Sequence, residues 1–326
     1  MRLLNRSSIR VLSGLAVLAT LALSAVGSSY AGPLAGSGAA ARSHGAADCQ
    51  APIGVACEFG IPYGEGTSQT LDAYWSTTYA GQPSVLVIHG GGWSAGSSTD
   101  YYPEAVYLAQ NGFAVFSLNY TLSTAGSPSW PQVLTDIETG ARWVRDNAYL
   151  FGADGSRIGA YGGSAGGHLV ALLDVVGADD GIPIKTAVSW SGPMDLRSTY
   201  RHSNGYVREA ITQLLGCAPR NCPNDEDLAA SPDFNVTAGD GSLLFLNAKE
   251  ELVSVQQAHL MNRALRDAGV RHELVVFNDT NGHASQLECH PAHILGVTGP
   301  AIDGAIRWLG KALNGRASTP TGSFCG

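Results

Sequence analysis

Charge is scarce in this 326-residue chain, with 14% Asp, Glu, Lys and Arg, and there is no block of like charge. That excludes an acidic or basic interaction tail and argues against a nucleic-acid surface. Beyond the first thirty residues no apolar run is long enough to cross a bilayer. The six cysteines include no C-x-x-C and no paired Cys/His spacing, so nothing suggests a zinc site or any other metal. No internal repeat is visible, which excludes a solenoid or propeller. What remains is one large α/β-sized chain, long enough for a single sizeable core and too short for a second large domain.

The N-terminus has its own character. Arg2, Arg6 and Arg10 precede the apolar run Val11–Val26, and Ser29-Tyr30-Ala31 offers small residues for cleavage. This reads as a secretory signal peptide over residues 1–31, followed by an Ala/Gly/Ser-rich linker over 32–47 and one folded domain over 48–326. Cleavage would remove three arginines and no acids, leaving 16 basic against 27 acidic residues and a formal charge of −11. Such a surface disfavours anionic membranes and nucleic acid as partners and suits uncharged molecules such as neutral sugars. In an exported chain six cysteines suggest three disulfides. Fifteen pairings are possible; proximity favours Cys49–Cys57 and Cys217–Cys222, which leaves Cys289 with Cys325.

Two glycine-rich stretches follow short apolar runs. Val85-Leu86-Val87-Ile88 reads as a buried strand and ends in His89-Gly90-Gly91-Gly92-Trp93. Ile158-Gly159-Ala160-Tyr161 leads into Gly162-Gly163-Ser164-Ala165-Gly166, and an apolar helix starts behind it. A G-x-S-x-G between strand and helix is a turn so tight that small residues must flank the serine, and it presents that serine at a helix N-terminus. Bare glycine amides after an earlier strand are what a developing oxyanion needs. With both motifs present, the pattern resembles the α/β-hydrolase superfamily. More narrowly, HGGGW plus GGSAGGH is similar to the hormone-sensitive-lipase-like and acetylxylan/feruloyl-esterase group of carboxylesterases. The resemblance spans roughly residues 70–313.

The rest of the chain alternates strand and helix patterns. Strands are expected within Ile61–Trp75 and at Phe113–Leu118, Ala187–Trp190, Leu243–Leu246 and Leu274–Phe277. Helices are expected at Tyr101–Gln110, Ser129–Tyr149, after the elbow to about Gly177, at Val255–Ala268 and at Ala301–Leu313. This alternation predicts an α/β fold with a mostly parallel central sheet flanked by helices. Residues 194–236 break it with a polar, Cys- and Pro-containing stretch, read as a small cap-like insert over the site.

The resemblance implies a nucleophile Ser164, then an acid, then a histidine, in that chain order. His283, preceded by glycine and following the strand at Leu274–Phe277, is the expected base, with His290 in reserve. The acid is expected at Glu250 by alignment on Leu252-Val253, with Glu251 as competitor. Gly91, Gly92 and Ala165 are the expected oxyanion donors, and Trp93 and Tyr120 the expected substrate contacts. Tyr101, Tyr102 and Trp130 are further candidates for an acyl pocket, and His168 reads as packing against the elbow. The implied activity is hydrolysis of a carboxylic ester, small or polysaccharide-linked, without metal or organic cofactor. Amide or lipase chemistry on the same triad, and a binding-only hydrolase fold, are the alternatives. Neither the ester nor the oligomeric state is legible.

Overall fold

In the computed structural model the described residues are 51–177, 181–182, 184–278 and 282–325. The stretches read as a signal peptide and a linker, and Cys49, lie outside them. Eight strands form one sheet: β1 (Val55–Pro62), β2 (Thr70–Ser76), β3 (Gln82–Ile88), β4 (Ala114–Leu118), β5 (Ala153–Gly163), β6 (Ile184–Trp190), β7 (Ser242–Ala248) and β8 (His272–Phe277). Their order is β1-β2-β4-β3-β5-β6-β7-β8. The two pairings at the β1 end are antiparallel, and every pairing from β4 to β8 is parallel. The expected mostly parallel sheet is therefore present.

Both faces of the sheet are covered, and the period-2 geometry of a strand decides which side chain goes where. Leu86 and Ile88 of β3, with Leu243 and Phe245 of β7, enter one apolar core; Val85, Val87, Leu244 and Leu246 enter the other. The first core is closed by α2 (Gln132–Asn147), α3 (Ala165–Val176) and α8 (Gln256–Ala268). The second is closed by α1 (Tyr102–Gln110) and the terminal helix α9 (Ala301–Asn314). This explains why β3, β4 and most of β5 and β7 read as continuous apolar runs: a strand packed on both faces has no solvent side. Gly269 and Gly315, each at φ 73°, stop α8 and α9 in left-handed turns.

The stretch over residues 194–236 is more regular than its polar composition suggests. It folds into α4 (Leu196–His202), α5 (Gly205–Leu215), α6 (Glu226–Ala229) and α7 (Pro232–Asn235). Side-chain caps start the first two: Asp195 accepts from the Ser198 amide at 2.9 Å and Asn204 from the Val207 amide at 3.1 Å. The base of the insert is tied by Arg197 to the buried Asp227, and by Ser231, whose Oγ accepts from the Leu196 amide at 2.9 Å. Behind β8 a short hairpin, β9 (Pro291–Ile294) with β10 (Val297–Pro300), adds a second sheet that the sequence pattern did not announce.

Disulfides join Cys217 to Cys222 and Cys289 to Cys325, the two pairings expected for these cysteines, and Cys57 is disulfide-bonded as well. Among the described residues no helix is long and apolar enough to cross a membrane.

Candidate active site

The serine turn begins where β5 runs out. Ser164 has φ 56° and ψ −122°, a backbone conformation that costs energy for any residue with a Cβ. Close packing holds it there. A Cβ on Gly162 would stand 2.7 Å from both the Ile88 and Gly166 carbonyl oxygens, and one on Gly166 would collide with the Ile88 oxygen. The Ser164 amide donates to the Trp190 oxygen at 2.7 Å, and the Ser164 oxygen receives the His168 amide at 3.0 Å, starting α3. The serine is thus fixed at the C-terminal edge of the sheet and the N-terminus of a helix.

The glycine loop after β3 lies against this turn. Gly91, Gly92 and Trp93 all have positive φ, at 102°, 59° and 57°. At Gly91 a Cβ would run into the Ala95 carbonyl oxygen, so glycine is required there. Two aromatic supports lie beneath the loop. His89 donates from Nδ1 to the Gly90 oxygen at 2.8 Å, and its ring stacks on Tyr120 with centroids 4.3 Å apart. Burial lowers the basicity of that imidazole. Tyr120, expected to meet substrate, is instead 1% exposed and donates its hydroxyl to the His89 oxygen at 2.9 Å. It holds the loop from behind and does not border the cavity. This is a correction with a simple cause: Tyr120 stands two residues past the end of β4, where stacking on His89 and the bond to the His89 oxygen take its ring into the core.

The third component comes from the loops after β7 and β8. His283 Nδ1 lies 2.6 Å from Glu251 Oε2. The other carboxylate oxygen, Oε1, accepts from the Ala248 amide at 2.8 Å and from Asn247 Nδ2 at 2.9 Å. Glu251 has no side-chain exposure, whereas Glu250, the position expected for the acid, is exposed. The reason is the turn. The Lys249 amide is still paired with the Phe277 oxygen at 2.9 Å, and the chain folds back only afterwards. The third residue past Ala248 can then close onto its amide, while the second faces solvent. His290, the reserve base, packs near Phe277 and does not border the cavity.

His283 Nε2 is buried and has no hydrogen-bond partner. The position of the loop is set from β6: Ser191, at φ 53°, accepts the Ala284 amide on its Oγ at 3.0 Å. Sequence reasoning missed Ser191 and Asn247. A serine after an apolar strand carries no sign of which distant amide it will meet. Ser164, Ala165, His283, Gly91, Gly92 and Trp93 border one cavity of about 460 Å³. Tyr101 also borders it, but Tyr102 and Trp130 do not. Tyr206, Val207 and Ala210 of α5 form part of the wall, so the insert contributes to the mouth. Among the described residues no group of three or more His, Cys, Asp or Glu could hold a metal ion.

A BD-FAE family profile matches residues 71–265, which contain both glycine motifs and the insert. The chain belongs to the BD-FAE family. It is an α/β-hydrolase of the hormone-sensitive-lipase-like type. Its sequence is 30% identical over 249 residues to the probable N-octanoylanthranilate hydrolase AqdA2 of Rhodococcus erythropolis, covering 69% of this chain and 53% of that one. It is 26% identical over 231 residues to the esterase LipQ of Mycobacterium tuberculosis, covering 64% and 52%. The chain spans about half the length of these two curated relatives. Among solved structures, a truncated carbohydrate esterase from gut microbiota superposes with a TM-score of 0.61 at 23% identity, covering 68% of this chain and 87% of that one. An acetyl ester-xyloside bifunctional hydrolase from Caldicellulosiruptor lactoaceticus gives 0.57 at 23% identity, covering 67% and 80%. These two likenesses establish the fold.

Proposed function

We propose that this BD-FAE protein is an exported serine ester hydrolase with a Ser164–His283–Glu251 triad. The observation that carries the reading is the bond from His283 Nδ1 to a buried, fully satisfied carboxylate, in a histidine that shares its cavity with Ser164. Glu251 fixes the imidazole tautomer with the proton on Nδ1, leaving the Nε2 lone pair free to take a proton. Ser164 attacks the ester carbonyl as its hydroxyl proton passes to His283 Nε2, and a tetrahedral oxyanion forms. The amides of Gly91, Gly92 and Ala165 receive that charge, and one such donor is typically worth ~3 kcal/mol in the transition state. The imidazolium then gives its proton to the leaving alcohol. Water repeats the sequence on the acyl-enzyme and releases the acid.

Substrates of the carbohydrate-ester kind, acetyl or feruloyl groups on plant polysaccharide, fit an acidic exported chain and the esterases among its relatives. An amide reading is favoured by one observation, the 30% identity to a relative named for an N-acyl compound.

Two measurements test these readings. Purified protein should hydrolyse 4-nitrophenyl acetate, and Ser164→Ala should abolish turnover; a variant that retains it refutes the triad. Parallel rates on acetylated xylan, methyl ferulate and an N-acylanthranilate then rank the substrate classes, and an amide rate above every ester rate would reverse the preference.

A further inference from the structure

One histidine of the serine motif takes no part in the chemistry above. His168 lies at the start of α3, is 0% exposed, and uses both ring nitrogens. Its Nε2 lies 2.7 Å from the Ala230 carbonyl oxygen, in the insert just after α6. A carbonyl can only accept, so Nε2 carries the proton and Nδ1 presents a lone pair. That lone pair receives the Trp93 indole N–H at 3.3 Å, and the two rings meet edge to face at 5.3 Å. Burial pushes the imidazole down to about 4, which keeps it neutral and keeps Nδ1 an acceptor.

The indole is the last residue of the glycine loop and the one non-glycine in its run of three positive φ angles. Backbone of that kind persists only where its surroundings fix it. Two anchors serve it here: the Trp93 oxygen, which receives the Ser123 amide at 2.7 Å, and the indole N–H on His168. At its far end the bridge rests on a rigid base, since the Ala230 amide donates to the Glu226 oxygen and Ser231 Oγ to the Asp227 oxygen at 2.6 Å.

We propose that His168 is a positioning residue: by joining the Trp93 indole to the Ala230 carbonyl, it couples the base of the insert to the glycine amides that receive the oxyanion. The inference rests on the hydrolase reading above. It makes the insert a structural determinant of turnover, beyond forming the wall of the mouth. It also gives the histidine of GGSAGGH a task that a volume-filling residue could not perform.

The test compares His168→Phe, which fills the space but neither accepts nor donates, with His168→Gln, which can do both. Each is assayed for kcat and KM on 4-nitrophenyl acetate and for affinity toward a trifluoromethyl ketone, whose hemiketal carries the same oxyanion. The amides act mainly in the transition state, so His168→Phe should lower kcat by roughly tenfold to a hundredfold with KM within about twofold. Ketone affinity should fall in parallel, and His168→Gln should recover most of both. Trp93→Phe removes the donor and should reproduce the loss, with the double variant Trp93→Phe/His168→Phe no worse than either single one.

Unchanged kcat in His168→Phe, or a glutamine variant no better than the phenylalanine one, overturns the inference. If His168→Phe does not fold, wild-type kcat in folded Trp93→Phe overturns it equally. Wild-type turnover abolished by Ser164→Ala is the control that separates the two readings. Where that control fails, the hydrolase reading falls. Where it holds and the Trp93–His168 variants retain kcat, this inference alone falls.

Discussion

At the scale of single residues, the site turns on which of two adjacent glutamates folds inward. Glu251 accepts the Ala248 amide and the Asn247 side chain on one oxygen and faces His283 with the other, so its carboxylate is desolvated only where it is paired. Glu250 points to solvent. Replacing Glu251 with Gln leaves an amide that can present its NH2 group to the imidazole and favour the wrong tautomer. We expect kcat on 4-nitrophenyl acetate to fall roughly 10³- to 10⁴-fold, by analogy with loss of the acid in other triads. Glu250→Gln should change it less than about twofold. The reverse ranking would show that the loop rearranges and that Glu250 is the acid.

At the scale of elements, the loops that bring His283 and Glu251 together are held from distant parts of the chain. Ser191 at the end of β6 holds the Ala284 amide, and the short helical turn after His283 leads directly to Cys289, which is bonded to Cys325. That bridge closes 36 residues and ties the tail after α9 to the segment that follows His283, whereas Cys217–Cys222 closes only five. On a chain-entropy estimate the larger loop is worth about 4 kcal/mol and the smaller about 2 kcal/mol. The paired Cys289→Ser/Cys325→Ser variant should therefore lower the urea midpoint more than Cys217→Ser/Cys222→Ser. Equal midpoints would mean that the tail holds its place without the bond.

At the scale of the whole molecule, several acids are buried where their surroundings favour the neutral form. Asp233 at the start of α7 has its carboxyl pushed up to about 8, first by burial and then by Asp195. Glu288, bonded to Tyr161, is raised well above the carboxylate range by burial and by Glu104 beside it. An acid with a raised folded value binds more protons in the folded chain than in the unfolded one, so its contribution to stability is full below the unfolded value. For Asp233 that contribution is lost as pH rises from about 4 to about 8. Asp233→Asn, which has no proton to lose, should flatten the decline. Denaturant midpoints from pH 4 to 9 measure it; an unchanged slope in the variant would place the pH sensitivity in other groups.

Periodicity and turn chemistry made much of this legible without coordinates. An apolar run buried on both faces, such as Val85–Ile88, announces a parallel strand from its composition, and the glycines around Ser164 announce a turn that excludes side chains. Local rules of this kind were sufficient for the layers of the fold, the positions of most helices, and the two glycine motifs. They could not choose between Glu250 and Glu251, because the choice depends on where the chain leaves its pairing with β8. They could not send Tyr120 beneath the glycine loop rather than into the cavity. Nor could they join His168 to Ala230, 62 residues away. A strand or a turn is decided by neighbours a few positions apart. A carboxylate that meets an imidazole 32 residues on, or a serine that holds an amide 93 residues away, is decided only when packed strands bring their ends to one edge of the sheet.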